Sequence, residues 1–269
     1  MNELPGRLTL LGHPVEHSLS PVFQNAALRH AGIPLMYEAL DVAPSDLATI
    51  AGLMRDVNGA GNITVPHKVA FTALCSRCSP VAQRVGAVNT FWTDDGELVG
   101  DNTDVGGFDA AARAAFGAPR AGLVVAVLGA GGAAAAVLAA VERWGDATVR
   151  LHARGHDRAA SLASTFASFA VAVPTIADAV RGAQLVVNAT PVGLHGDSLP
   201  LDLALCDTRP DVFDLCYRRQ ETPLVIAARA RGLRAVDGLG MVVEQGALAF
   251  ERWFGVRPDR DVMWDAVRR

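Results

Sequence analysis

The chain has no run of basic residues, and its formal net charge is −4. This excludes the electrostatic footprint of a nucleic-acid-binding protein. It has only four cysteines, Cys75, Cys78, Cys206 and Cys216. Cys75-Ser-Arg-Cys78 is a C-x-x-C pair, but no second pair and no histidine pair at finger spacing completes it, so no metal site is expected. A redox motif would want its own strand–helix setting, and the pair reads as a coincidence within a helix. Charged residues are 19% of the 269 positions and hydrophobic residues 51%, which excludes disorder and requires a real core. No internal repeat or low-complexity segment is visible beyond a bias toward alanine. The opening residues, Met1-Asn-Glu-Leu-Pro-Gly-Arg7, lack the basic and long apolar regions of a signal peptide. A cytoplasmic protein is expected.

The one long uncharged stretch, Ala121 to Val141, has the length of a membrane span. Its composition reads otherwise. Leu123-Val-Val-Ala-Val-Leu128 is a β-branched and aliphatic run, suited to a strand buried on both faces. The alanine-rich half after it reads as helix. Between them sits Gly129-Ala130-Gly131-Gly132-Ala133-Ala134, the G-x-G-x-x-A pattern at a strand-to-helix turn. Gly129 permits the tight turn, Gly131 lets a pyrophosphate approach the backbone, and Ala134 lets helix and strand pack closely. The helix N-terminus offers unpaired N–H groups and a partial positive charge to phosphate. A Rossmann-like dinucleotide-binding domain is expected, and no membrane partner.

An acid is also missing where one dinucleotide would need it. A unit binding NAD places Asp or Glu at the end of its second strand, for the ribose 2′-hydroxyl. The second strand here, Ala147 to His152, runs instead into Ala153-Arg154-Gly155-His156-Asp157-Arg158. Two guanidiniums suit the planar, bidentate demands of a 2′-phosphate, so the expected cofactor is NADP.

The N-terminal part alternates strands and helices, which predicts a second, mostly parallel sheet. The expected strands are Arg7–Gly12, Leu35–Val42 and Gly61–Val65. The expected helices run from Ser20 to Gly32, from Pro44 to Asp56 and from Val69 to Cys78. Ser20 before Pro21 has the form of an N-cap, whereas Ser18 lies on the strand-to-helix loop, a position suited to ligand binding. Lys68 falls in the first turn of a helix, where the dipole disfavours a cation, and such local violations concentrate at functional sites. A hairpin is expected around Thr93-Asp-Asp-Gly96. Asp101-Asn102-Thr103-Asp104 then opens a helix to about Phe116. Asp104 has the form of an N-cap, but a cap needs no Asp-Asn-Thr ahead of it.

Seven stretches now combine. They are Gly12-His-Pro-Val-Glu-His-Ser-Leu-Ser-Pro21, Asn62-Ile-Thr-Val-Pro-His-Lys68, Gly86-Ala-Val-Asn-Thr90, Gly100-Asp-Asn-Thr-Asp104, Gly129-Ala-Gly-Gly132, Asn188-Ala-Thr190, and Asp237-Gly-Leu-Gly-Met241 through Gln245-Gly-Ala. In this order they make the chain resemble the shikimate dehydrogenase family nearly end to end. The resemblance implies an α/β enzyme that interconverts 3-dehydroshikimate and shikimate with NADPH in aromatic amino acid biosynthesis. It implies a substrate domain of residues 1–104 plus 238–269, an NADP domain of residues 105–237, and C-terminal helices returning to the first domain. It implies Lys68 and Asp104 as the catalytic pair. Ser18, Ser20, Asn62, Thr64, Asn89, Asp104 and Gln245 would hold the substrate's carboxylate and hydroxyls, together with Tyr217. Gly129, Ala130, Gly131, Gly132, Ala133, Ala189, Thr190, Gly238 and Met241 would line the dinucleotide, and Arg154 and Arg158 would take its 2′-phosphate. A monomer or homodimer is expected. Departures from the family pattern include Ala134 and Ala135 in place of Ser and Arg, Ala153 and Gly155 beside Arg154, and Gln24 in place of His. Alternatives on the same scaffold are a quinate or aminoshikimate dehydrogenase using NAD(P), and a non-catalytic ligand sensor. A sensor would be expected to lack Lys68 or Asp104, and both are present.

Overall fold

The computed structural model describes residues 4–268. The chain forms two compact units, one running up to Gly107 and resuming at Val242, the other Phe108–Met241. In chain order the elements are β1 (Arg7–Gly12), α1 (Ser20–His30), β2 (Tyr37–Asp41), α2 (Leu47–Asp56), β3 (Gly59–Ile63), α3 (Lys68–Thr72), β4 (Arg77–Cys78), α4 (Pro80–Val85), β5 (Thr90–Asp94), β6 (Glu97–Asp101) and α5 (Asp104–Phe116). There follow β7 (Leu123–Leu128), α6 (Gly132–Glu142), β8 (Ala147–His152), α7 (His156–Thr165), β9 (Ala170–Ala172), α8 (Ile176–Val180), β10 (Leu185–Asn188), β11 (Asp211–Asp214), α9 (Pro223–Ala230), β12 (Ala235–Val236), α10 (Leu239–Phe254) and α11 (Arg260–Val267).

Among the described residues, the first unit holds a six-stranded sheet in the order β2-β1-β3-β5-β6-β4. β2, β1 and β3 run parallel, and β5 and β6 form an antiparallel hairpin beside β3. Asp95 and Gly96 turn that hairpin with φ of 50° and 75°, the two positive values of a two-residue type I′ turn. The period of two along β1 sorts its leucines onto opposite faces. Leu8 and Leu10 join Phe23, Leu28, Phe250 and Met263 from α1, α10 and α11. Leu11 joins Met54, Ile63, Phe71 and Phe91. A sheet covered on both faces results, with its loops free to carry polar groups.

Gly61 marks the tightest point of this sheet. A Cβ there would stand 1.9 Å from the Thr9 carbonyl oxygen on β1, and the ladder cannot yield without losing its bonds. Gly61→Ala is expected to destabilise the protein by about 1–3 kcal/mol or more, the usual cost of overpacking. Thermal or denaturant unfolding measures this directly.

The second unit holds a parallel sheet in the order β9-β8-β7-β10-β11-β12. Counted within the unit this is 3-2-1-4-5-6, and the order reverses between β7 and β10. In such sheets ligands bind at the carboxyl ends of the strands beside that switch.

Several expectations need correction. The helix expected to reach Cys78 ends at Thr72, so Cys75 and Cys78 lie outside it. Ser76 N–H bonds the Leu98 carbonyl, and Arg77 and Cys78 pair with Val99 and Gly100 of β6. Backbone pairing along the sheet edge overrides the weak helical pattern. Cys75 and Cys78 are free thiols, and burial pushes Cys75 up to about 12, which leaves little thiolate for redox chemistry. Ser20 is not the cap of α1. It is the first helical residue, and its N–H bonds Ser18 Oγ at 3.2 Å. Pro44–Asp46 forms a separate 3₁₀ turn ahead of α2. β9 and α8 were not expected: three residues and five residues are too short to show a period.

Candidate active site

In the first unit, the polar residues of the sequence motifs converge at the carboxyl ends of β1 and β3. Lys68 opens α3 directly after the β3 loop. Its Nζ lies 2.6 Å from Asp104 Oδ2. The lysine side chain is 21% exposed and the aspartate 6%, so the pair is shielded but open on the lysine side. Asp104 is the first residue of α5, yet its carboxylate does not cap that helix. Asn102 Oδ1 accepts the Asp104 N–H at 3.1 Å. This explains the Asp-Asn-Thr that precedes it: the asparagine does the capping and leaves both Asp104 oxygens to other partners.

Asn89 is the hub. Its Nδ2 donates to Asp104 Oδ1 at 2.8 Å, to Thr103 Oγ1 at 3.0 Å and to Gln245 Oε1 at 3.2 Å. Its Oδ1 accepts from Thr103 N at 2.7 Å. Asn62 on β3 donates to the Asn89 carbonyl at 3.1 Å and accepts from Tyr37 Oη at 2.8 Å. Burial raises the Tyr37 pKa well above its ordinary value, so the phenol stays a donor. The structure thus brings together Lys68, Asp104, Asn89, Asn62 and Gln245. Ser18 lies on the loop before α1 and Ser20 is the first residue of that helix, while Thr64 lies on the loop after β3, where its N–H bonds the Leu11 carbonyl. Sequence reasoning missed Tyr37 and Thr103. Thr103 had a signal, four successive polar residues in a chain half hydrophobic. Tyr37 had none, since a strand tyrosine reads as core.

In the second unit the glycine loop joins β7 to α6. Gly129 has φ of +111°, and a Cβ on it would stand 2.7 Å from the Ala189 carbonyl oxygen. Glycine is obligatory there on both counts. Gly131 is different: nothing lies within 4 Å of its hypothetical Cβ. Its side-chain position is open space beside the start of α6, a cradle that a phosphate fits and a side chain would fill. Ala130, Gly132 and Ala133 complete the turn, and Ala134 is fully buried behind it. Gly129 N–H bonds the His152 carbonyl at 2.8 Å, which ties the loop to the end of β8. Arg154 follows that strand end, and Arg158 is the third residue of α7. Both are exposed, and neither has an ion pair among the described residues. Ala189 and Thr190 follow β10, at the switch point. Gly238 admits no side chain, for a Cβ would meet the Leu215 carbonyl at 2.2 Å. Met241 is buried in α10. Tyr217 is half-buried on the loop after β11, in this unit and not in the one that holds Lys68. Asp214, at the end of β11, escaped sequence reasoning; burial raises its pKa, as it does that of Asp237.

A glycine loop on a doubly wound sheet, with unpaired arginines at the next strand end, defines a dinucleotide-binding unit. A lysine–carboxylate pair among buried amides defines an acid–base site. These are the parts of a nicotinamide-dependent oxidoreductase. Comparisons with known proteins narrow the class. Residues 10–91 match the shikimate dehydrogenase substrate binding domain, and residues 238–268 the shikimate 5′-dehydrogenase C-terminal domain. The chain is 44% identical to a shikimate dehydrogenase (NADP(+)) of Mesorhizobium japonicum, covering 96% of this chain and 94% of that protein. It is 41% identical to the shikimate 5-dehydrogenase of Thermus thermophilus, solved with NADP(H) and shikimate, covering 99% of both chains at a TM-score of 0.90. It is 30% identical to a quinate dehydrogenase of Corynebacterium glutamicum solved with NAD, covering 96% of this chain and 97% of that one at a TM-score of 0.87. The chain belongs to the shikimate dehydrogenase family. Among the described residues, no helix is long and apolar enough to cross a membrane.

Proposed function

We propose that the chain catalyses the reversible NADPH-dependent reduction of 3-dehydroshikimate to shikimate, a step of aromatic amino acid biosynthesis. The observation that carries this is the Lys68 Nζ–Asp104 Oδ2 contact of 2.6 Å, set among the buried amides of Asn62, Asn89 and Gln245. When bound, reduced nicotinamide would supply the hydride for the carbonyl carbon. The chain's own residues must then manage the negative charge that develops on the carbonyl oxygen. Lys68 holds a proton at Nζ and delivers it to that oxygen. Asp104 fixes the ammonium through Oδ2 and is itself held through Oδ1 by Asn89. Asn62, Asn89 and Gln245, with Ser18, Ser20 and Thr64, bind the ring hydroxyls and the carboxylate. In the oxidative direction Lys68 takes the proton back from the hydroxyl.

The second unit fits NADP(H). Ala130, Gly131, Gly132 and Ala133 present backbone N–H groups to the diphosphate, and Gly129 makes the turn that places them. Ala189, Thr190, Gly238 and Met241 line the dinucleotide, and Arg154 and Arg158 hold the 2′-phosphate. Gly131→Ala separates binding from folding. Its Cβ would touch no protein atom, so the melting temperature should stay within about a degree of wild type. KM for NADP⁺ should rise by about tenfold or more as the methyl group displaces the phosphate. Steady-state kinetics alongside a thermal melt checks both parts. We assign the protein to the cytoplasm, as a monomer or homodimer.

The direct test is purified protein with shikimate and either NADP⁺ or NAD⁺, followed by the absorbance of the reduced cofactor. Turnover strongly favouring NADP⁺ is expected. Turnover with NAD⁺ and quinate instead would move the chain to the quinate-oxidising branch that its likeness to the Corynebacterium protein offers. No turnover of either acid would sink the reading.

A further inference from the structure

The loop after β10 is held by a network that the reaction does not explain. Asn188 is fully buried, and its amide is fully used. Nδ2 donates to Asp214 Oδ1 at 2.8 Å and to the Val192 carbonyl at 3.1 Å. Oδ1 accepts from Thr190 N at 3.0 Å and Thr190 Oγ1 at 2.7 Å. Thr190 Oγ1 in turn accepts the Val192 N–H at 3.2 Å. An amide can be turned either way unless a partner of fixed chemistry decides. Here the partners agree: the Val192 carbonyl and Asp214 Oδ1 accept from Nδ2, and the Thr190 N–H, a fixed donor, takes Oδ1. Asp214 Oδ1 also accepts the Cys216 N–H at 3.1 Å, which ties the Asn188 amide to the end of β11. Cys216 adds a second grip from the same strand end: its Sγ donates to the Thr190 carbonyl at 3.2 Å, and burial holds it as a thiol by pushing it up to about 12.

We propose that Asp214 and Cys216 are positioning residues for the dinucleotide. Asp214 acting through Asn188, and Cys216 acting directly on the Thr190 carbonyl, fix Ala189 and Thr190 against the glycine loop, where the Ala189 carbonyl already meets the position Gly129 leaves empty. The inference rests on the reading that this loop binds NADP(H).

Asp214→Ala, Asp214→Asn, Cys216→Ala and Ala189→Glu, each in the full chain, test it by KM for NADP⁺, KM for shikimate and kcat. Asp214→Ala should raise KM for NADP⁺ about tenfold or more, the usual consequence of stranding a buried donor. Its KM for shikimate and its kcat should stay within about twofold. Asp214→Asn keeps an acceptor in the same place and should restore KM for NADP⁺ to within about threefold of wild type. Cys216→Ala loses one weak donor, and a two- to fivefold rise is expected. Ala189→Glu sets a negative charge beside the cofactor and should nearly abolish its binding. An unchanged KM for NADP⁺ in folded Asp214→Ala, with Ala189→Glu impaired, overturns the inference and spares the cofactor loop. Unchanged values in both overturn the loop reading itself. A parallel rise in both KM values with a fall in kcat would mark a purely structural role and also overturn it. If Asp214→Ala does not fold, Cys216→Ala decides alone, and an unchanged KM for NADP⁺ there ends the proposal.

Discussion

Lys68→Ala is expected to lower kcat by about two to four decades, with a much smaller change in KM for shikimate. The range is what a positioned general acid contributes. The split follows from where the group acts. A proton donor that matters most as charge builds on oxygen is worth more in the transition state than in the bound ground state. Truncation has a second effect that must be separated. It leaves the Asp104 carboxylate, 6% exposed, without its cation, and breaking a shielded pair destabilises by leaving an uncompensated charge. A thermal melt beside the kinetics tells lost folding from lost chemistry. Asp104→Asn sharpens the point. Its amide oxygen still accepts from Asn89 Nδ2, so the hub survives while the anion facing Lys68 is removed. Both variants should be slow and folded. Near-normal turnover in Lys68→Ala would take the lysine out of the mechanism.

Much of this was legible in the sequence, for physical reasons that differ by region. β7 and β8 coincide with the expected strands: β7 is an unbroken apolar run, buried on both faces, and β8 alternates, with Ala147, Val149 and Leu151 buried between more exposed neighbours. The glycine loop was legible because Gly129 alone tolerates a φ of +111° against the Ala189 carbonyl. The Lys68 anomaly was also legible: a cation at a helix start has an electrostatic cost, and the structure shows the carboxylate that offsets it. What stayed hidden depended on contacts distant in sequence. Tyr37 on β2 meets Asn62 on β3 across the intervening β1, 25 positions on. Asp214 meets Asn188 on the neighbouring strand, 26 positions apart. Local reading also misassigned caps. Ser20 and Asp104 both have the form of an N-cap, and in both places a side chain two residues earlier, Ser18 and Asn102, receives the N–H. A motif whose capping is supplied from upstream keeps its own polar group for something else. For Asp104 that freed group is the one that meets Lys68.

The second large effect concerns the choice of dinucleotide. Arg154→Ala combined with Arg158→Ala is expected to lower kcat/KM for NADP⁺ by about two to three decades while leaving kcat/KM for NAD⁺ within about threefold. Each guanidinium that loses a charge-assisted contact to a phosphate forfeits roughly 1.5–3 kcal/mol, a tenfold to hundredfold loss apiece, with the total reduced by exposure to solvent. Folding should be indifferent, because both side chains are exposed and neither is committed to a carboxylate among the described residues. The two arginines are not equivalent. Arg158 is anchored on α7, and a Cβ on Gly155 would lie 3.8 Å from its Cγ and Cδ, so the glycine leaves that side chain room to swing toward the end of β8. Arg154 rises from the loop itself, exposed and flanked by the small residues Ala153 and Gly155. The single Arg158→Ala variant should therefore lose more than Arg154→Ala. Salt supplies an independent check. An exposed charge contact is screened within about 8–10 Å at ordinary ionic strength, so the wild-type preference for NADP⁺ should decline as salt is raised, and the double variant should show no such decline. A preference that survives both substitutions would mean that the 2′-phosphate is recognised by other groups in this unit, and that the missing acid after β8 had been given too much weight.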